Sequence, residues 1–371
     1  MVGSACSQSS AQRDGGSPSA QPSPSATPTS AGFAKARCTV ATPAPWMALI
    51  QKSTTVLPQG SRVIPFATGE QPSLFFAVLY SAAWSGVVSV GVPSGAIRHI
   101  AQFRDPTNQQ AYAGGFDGRW LVWVELLSAQ DYNNWQIWAW DSSTGQSFEL
   151  AAAPTVNGSP VSGPIVQPVA SSGRAAWVQA NQEGTGEVHL YSLEDRRDQR
   201  VGSGATYPVL FWGPDLVWQH VDVPGQSGHI QMLDVASGEP VAVPAPLAAV
   251  RQISSLAVSD RLVAWTDGTS IWAYRPGQSS ASLVDELTAD SAGFLAIADN
   301  DLITWDGSSR PFALDVRSAA VTTLTPAYGG RFASGRSLLI YWPNSQTKVS
   351  PGTFLVSDVD VSNLPPLPPC G

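Results

Sequence analysis

Phe294-Leu295-Ala296-Ile297, then Ala298-Asp299-Asn300-Asp301, then Leu302-Ile303-Thr304-Trp305, reads as one hairpin: a short apolar strand, a polar turn, and a second strand that ends in tryptophan. Asp and Asn tolerate the left-handed backbone that a tight hairpin turn needs. The same ending recurs at Leu121-Val122-Trp123, Ala175-Ala176-Trp177, Leu216-Val217-Trp218, Val263-Ala264-Trp265 and Ile340-Tyr341-Trp342. The six tryptophans are 54, 41, 47, 40 and 37 residues apart. Self-similarity at a period of about 40 residues marks a repeat array whose units cannot bury their apolar faces alone.

Each repeat continues beyond its tryptophan. A polar loop leads to a third strand, as in Gln136-Ile137-Trp138-Ala139-Trp140, which runs into Asp141-Ser142-Ser143-Thr144-Gly145. Ile230-Gln231-Met232-Leu233 runs likewise into Asp234-Val235-Ala236-Ser237-Gly238. A fourth strand follows, for example Val321-Thr322-Thr323-Leu324. Four antiparallel strands in roughly 40 residues make one propeller blade. The fold class expected is therefore an all-β propeller. An earlier unit, Ser73 to Gly95, lacks the tryptophan but brings the expected count to seven four-stranded blades, with six as the alternative.

The tryptophan position has a packing reason. A wedge-shaped blade must fill the widening gap to its neighbour, and an indole buries about 150–250 Å² there. That is worth some 4–6 kcal/mol at most, taking about 25 cal/mol per Å². In the last unit the fourth strand is replaced by the proline-rich run Leu364 to Pro369, which cannot donate a full hydrogen-bond ladder. Thr54-Thr55-Val56-Leu57-Pro58 echoes Thr322-Thr323-Leu324-Thr325-Pro326 of the preceding unit. It is expected to supply the missing strand and close the ring.

Composition bounds the class of partner. The chain has 371 residues, 43% hydrophobic and only 13% charged, with a net charge of −8. Its three lysines (Lys35, Lys52, Lys348) form no basic cluster, which argues against nucleic acid. No run of 18 apolar residues occurs, so no spanning helix is expected. Residues 7–30 are rich in Ser, Pro, Ala and Gln and cannot bury enough surface to offset their ordering entropy. Residues 1–37 are accordingly read as a signal remnant and flexible tether, and residues 38–371 as the propeller.

Gly3-Ser4-Ala5-Cys6 resembles the tail of a bacterial lipoprotein cleavage box, although Gly3 stands where a larger aliphatic residue is usual. That resemblance implies a lipid on Cys6 and an extracytoplasmic, cell-envelope location, with the membrane touched only through the lipid. Cys38 and Cys370 bracket the repeats, and a ring brings its two ends together. These two are expected to form a disulfide.

The strand-ending tryptophan and the Asp-x-x-[Ser/Thr]-Gly turn together resemble the TolB-like and WD40-like propeller repeats of bacterial envelope proteins. The resemblance covers nearly all of the chain after residue 45. It implies that the loops between second and third strands share a face with the blade-to-blade connections, and that this face binds. Residues one or two past each tryptophan would then ring its mouth: Glu125, Gln179, His220, Asp267, Asp306 and Asn344. The loop from Leu127 adds Tyr132 and Trp135 as aromatic contact residues. Quinoprotein blades share similar turns but place a tryptophan four residues after the glycine. Glu149 and Ala242 occupy those slots, so no quinone cofactor is expected, nor any other.

Enzyme signatures are sparse. No Gly-x-Ser-x-Gly, His-Glu-x-x-His, Walker loop or Cys-x-x-Cys occurs in the sequence. His220, Asp222 and His229 flank one hairpin loop without a recognised metal-ligand spacing, and no metal is expected there. The leading expectation is a non-enzymatic module that binds or scaffolds a protein or an envelope glycan. The alternative is a hydrolase or lyase acting on an extracellular glycan with Glu125, Asp267 and Asp306 as its carboxylates.

Overall fold

The computed structural model describes residues 38–57, 61–69, 71–128, 131–162, 166–181, 185–206, 209–223, 227–287, 294–299, 301–307, 310–325, 329–343 and 354–370. They belong to one compact unit, Gly32–Gly371. Apart from the small hairpin Thr155–Val156 with Ser159–Pro160, the described strands pair into six sheets of a β-propeller, one of them seven-stranded and described below as two blades joined by a single pair.

The first blade comprises Arg62–Thr68, Leu74–Tyr80, Ser85–Gly91 and Ile97–Gln102, and the second Gln110–Phe116, Trp120–Leu126, Trp135–Asp141 and Ser147–Ala152. Val169–Ser171, Arg174–Ala180, Gly186–Ser192 and Arg197–Ala205 form the third. Leu210–Trp212, Asp215–His220 and His229–Asp234 form the fourth, joined to the third by the single pair Ala205–His220. The fifth is Ser255–Ser259, Leu262–Thr266, Ser270–Tyr274 and Ser282–Glu286. The sixth is Leu295–Ala298, Leu302–Asp306, Pro311–Asp315 and Ala320–Thr323. In the seventh, Gly330–Ser334, Ser337–Pro343 and Phe354–Asp360 take Thr54–Val56 as their fourth strand, antiparallel, with Thr55 opposite Val356. The first strand of each blade contacts the first strand of the next, and the seventh contacts the first. The ring is closed, and the strand that closes it is the N-terminal one expected from the sequence.

The tryptophans pack as wedges. Trp123, Trp177, Trp218, Trp265 and Trp305 are buried, and Trp342 is half-buried. Several stack on the residue paired with them on the third strand: Trp123 on Trp138, Trp177 on His189, Trp265 on Trp272 and Trp305 on Phe312. Each pair sits on one face of the sheet and adds ring–ring contact to area burial. The repeated turns also work as their composition requires. Asp141 and Asp234 each accept a hydrogen bond from a serine amide within the turn, and Gly145 and Gly238 both adopt φ of 74°. That left-handed conformation favours glycine.

The closure has parts that the sequence pattern does not announce. Cys38–Thr39 adds a fifth, parallel strand outside the sixth blade. The helix Ala44–Lys52 packs Trp46 and Ile50 into a core shared with Leu364 and Leu367 of the C-terminal run, and the Trp46 indole donates to the Pro365 carbonyl. Asp315, fully buried, accepts from the Leu367 amide and from the Arg317 guanidinium. Cys38 and Cys370 form the expected disulfide, 332 residues apart in sequence.

Candidate functional site

The blades' first strands line a central cavity of about 940 Å³. In the sixth blade Leu295 pairs with Trp305, so the start of the first strand is level with the end of the second. One end of the cavity therefore lies among the loops between second and third strands. Tyr112, Tyr132, Phe294, Asp306, Arg331 and Tyr341 line it there. Tyr132 is 52% and Phe294 58% exposed. Tyr132 rests edge-on against Tyr112, whose hydroxyl donates to the Val166 carbonyl.

Below this rim lies a charge pair of buried Arg331 with partly exposed Asp306. Arg331 is 5% exposed, and one of its terminal nitrogens donates to the Phe294 carbonyl. Its Nε lies 3.8 Å from Asp306 Oδ1, and neither of those two atoms has a hydrogen-bond partner. Burial raises the Asp306 pKa, with Arg331 pulling against it. Burial likewise lowers that of Arg331, against the pull of Asp306 and Tyr341. Both charges thus bear a desolvation cost that their separation only partly offsets.

The residues expected to ring one mouth do not converge. Of the expected set, Asp306 and Tyr132 line the central cavity. Trp135 is not a surface aromatic: it begins the third strand of the second blade and lies in the core beside Leu126 and Ile137. Strand pairing starts at Trp135, opposite Leu126. Glu125 is also buried, and Gln109 Nε2 donates to its Oε1 at 2.7 Å. Burial pushes its pKa up to about 7, against the pull of the Trp123 indole and Arg104.

Asp267 caps its own hairpin turn. Its carboxylate accepts from the Thr269 and Ser270 amides, the Thr269 hydroxyl and the Trp272 indole. Partial burial raises its pKa, but those bonds together prevail and lower it. Gln179 lines a second cavity of about 740 Å³ on the third blade, with Glu187 and Arg200 paired at 2.8 Å. His220 bonds the Ser203 carbonyl and Asp222 and lies beside His229. No cluster of three His, Cys, Asp or Glu groups suited to a metal occurs among the described residues. Asn344 and Cys6 lie outside the described residues.

Arg331 and Phe294 are the site residues that sequence reasoning missed. Arg331 stands in a strand pattern at a position where six sister blades carry no arginine signal, so only packing reveals it. The carboxylates of the hydrolase alternative are likewise divided. Asp306 faces the cavity, while Glu125 and Asp267 are not in its wall.

No protein-family model and no curated protein matches the chain. Solved structures do resemble it. A prolyl endopeptidase aligns at 12% identity with a TM-score of 0.56, over 88% of this chain and 50% of that one. The chain thus spans half of that enzyme's length. The propeller domain of the Trilobed protease from Pyrococcus furiosus aligns at 11% identity with a TM-score of 0.51, over 82% of this chain and 96% of the domain. TolB from Acinetobacter baumannii aligns at 11% identity over 81% of this chain and 64% of that one, with a TM-score of 0.42. At such identities the first two likenesses are likenesses of fold, and they place this chain among the β-propellers.

Proposed function

We propose that this chain is an extracytoplasmic binding or scaffold module that takes a protein partner at the cavity end carrying Tyr132 and Phe294. One observation carries the reading. Among the described residues, the exposed large hydrophobic side chains are Val56, Tyr132, Val156, Val223 and Phe294. All five fall toward the end where the second strands finish: two in loops between second and third strands, two in blade connections, one at the end of the closing strand. Apolar side chains toward one end, with Tyr132 and Phe294 on the rim of the central cavity, fit a partner better than solvent. The Cys38–Cys370 disulfide suits an oxidising compartment. Residues 1–37 serve in this reading as the tether and Cys6 as the lipid attachment.

The experiment is capture of partners from the parent cell envelope with wild-type protein, Tyr132→Asp and Phe294→Asp. Both positions are exposed, so the variants should fold and melt as the wild type does while losing the captured protein. Equal capture by all three would refute the reading. Mass spectrometry of the mature N-terminus tests the anchor: an unmodified Cys6 in membrane extracts would remove it.

A further inference from the structure

We infer that Asn157 is a site of spontaneous covalent modification: the Gly158 backbone nitrogen attacks the Asn157 side-chain amide, and an aspartyl or isoaspartyl residue results at the tip of the hairpin over residues 155–160. The reaction is independent of the binding reading above. Asn157-Gly158 is the only Asn-Gly pair in the chain. A glycine after asparagine carries no side chain to obstruct the attacking nitrogen.

The structure leaves both reacting groups open. Asn157 and Gly158 are exposed. Among the described residues nothing bonds the Gly158 nitrogen or the Asn157 side chain, and nothing lies within 4 Å of where a Cβ would stand on Gly158. Their φ values, 52° and 81°, are those of a tight two-residue hairpin turn, which is the physical reason this reactive pair stands here. The attack needs the turn to loosen, and the hairpin is weakly held. It belongs to no blade, and its bonds come from two residue pairs, Thr155 with Pro160 and Val156 with Ser159, and from the Val161 amide donating to the Pro154 carbonyl. Pro160 has no N–H to donate. A lone two-stranded hairpin is marginal in water, so it opens at little cost in free energy.

The reaction runs in two steps. The bond from Gly158 N to Asn157 Cγ forms as the Cγ–Nδ2 bond breaks, and the departing nitrogen leaves as ammonia with the Gly158 amide proton. Solvent water then opens the cyclic imide at either carbonyl. Opening at Cγ gives aspartate. Opening at the main-chain carbonyl gives isoaspartate, which routes the backbone through the side chain and lengthens a two-residue turn by one carbon. Pro154, Thr155, Val156 and Val161 wall the side cavity of about 740 Å³ together with Glu187 and Arg200. The isoaspartyl form therefore loosens one wall of that cavity, adds a negative charge to the hairpin and leaves the blades intact.

Purified protein is aged in mildly alkaline buffer made with heavy-oxygen water. Its peptides are mapped by mass spectrometry beside those of Asn157→Gln and of the wild-type chain unfolded in urea. In the native protein Asn157 should convert several-fold ahead of Asn108, Asn133, Asn134, Asn181 and Asn363, take up heavy oxygen and give both aspartyl and isoaspartyl peptides. Asn157→Gln should take up no label at that position. The Val161 amide should exchange with deuterium several-fold faster in the isoaspartyl fraction than in fresh protein. An intact Asn157 in the native protein, under conditions that convert the unfolded chain, would overturn the inference, and so would conversion of the other asparagines at the same rate. Unchanged exchange at Val161 would overturn the loosening of the cavity wall.

Discussion

At the scale of the residue, two kinds of buried side chain carry different consequences. Trp265 is 5% exposed, stacked on Trp272 and packed between the fourth and fifth blades. Its truncation leaves a cavity that sheet edges cannot close. Trp265→Ala should cost about 3–5 kcal/mol in chemical denaturation, and a loss under about 1 kcal/mol would show that the indole is no wedge. Glu125 shows the opposite economy. Burial holds its pKa at about 7, above the ordinary 4.5. The neutral acid is thus the form favoured by folding, so this contribution is complete below the ordinary value and is lost as pH rises through about 7. Glu125→Gln keeps an acceptor for Gln109 and removes the titration. Its melting temperature relative to wild type should rise between about pH 5 and about pH 8; a difference independent of pH would contradict the assignment. The tryptophans were legible because six copies aligned on one another. The buried state of Glu125 was not, because a residue two past a strand-ending tryptophan reads equally as rim or as core.

At the scale of the element, the seventh blade is the vulnerable one. Its edge strand Phe354–Asp360 is covered by Thr54–Val56 from the far end of the chain. Removing residues 38–60 takes away that strand, the helix Ala44–Lys52 and the parallel strand Cys38–Thr39 together, leaving two open sheet edges. The truncated protein should melt well below the full chain and aggregate; an unchanged melting temperature would mean that the closure contributes nothing. Asp315 is a narrower test of the same device. It bonds both the Leu367 amide and Arg317 from a fully buried position. Asp315→Ala should therefore cost about 1–3 kcal/mol in denaturation, since it leaves the buried Leu367 amide without its acceptor. The closing strand was readable because Thr54 to Pro58 repeats the pattern of a fourth strand. The helix and the Asp315 anchor were not, because neither recurs and both are defined by what they pack against.

At the scale of the whole molecule, the two ends of the chain meet and are covalently joined. In the chain-entropy model a disulfide closing 332 residues contributes at most about 6 kcal/mol, mainly by restricting the unfolded chain. Reduction should lower the denaturation midpoint substantially, and Cys38→Ser with Cys370→Ser should match the reduced protein. A thiol assay of the unreduced chain that counts Cys38 and Cys370 as free would refute the bond. The ring also explains why the candidate site was only half visible in sequence. The repeat period and the turn residues determined the propeller, its closing strand and the pairing of its cysteines, because hydrophobic alternation and turn chemistry act over a few residues and recur from blade to blade. Which of the polar residues past each tryptophan faces a common space was settled only by the tertiary structure. Packing around the ring leaves Asp306 at the cavity, hydrogen bonds tie Asp267 to its own turn, and Glu125 and Trp135 are buried, and none of these is written in local pattern. The meeting of Arg331 with Asp306 across two blades is likewise a product of the ring alone.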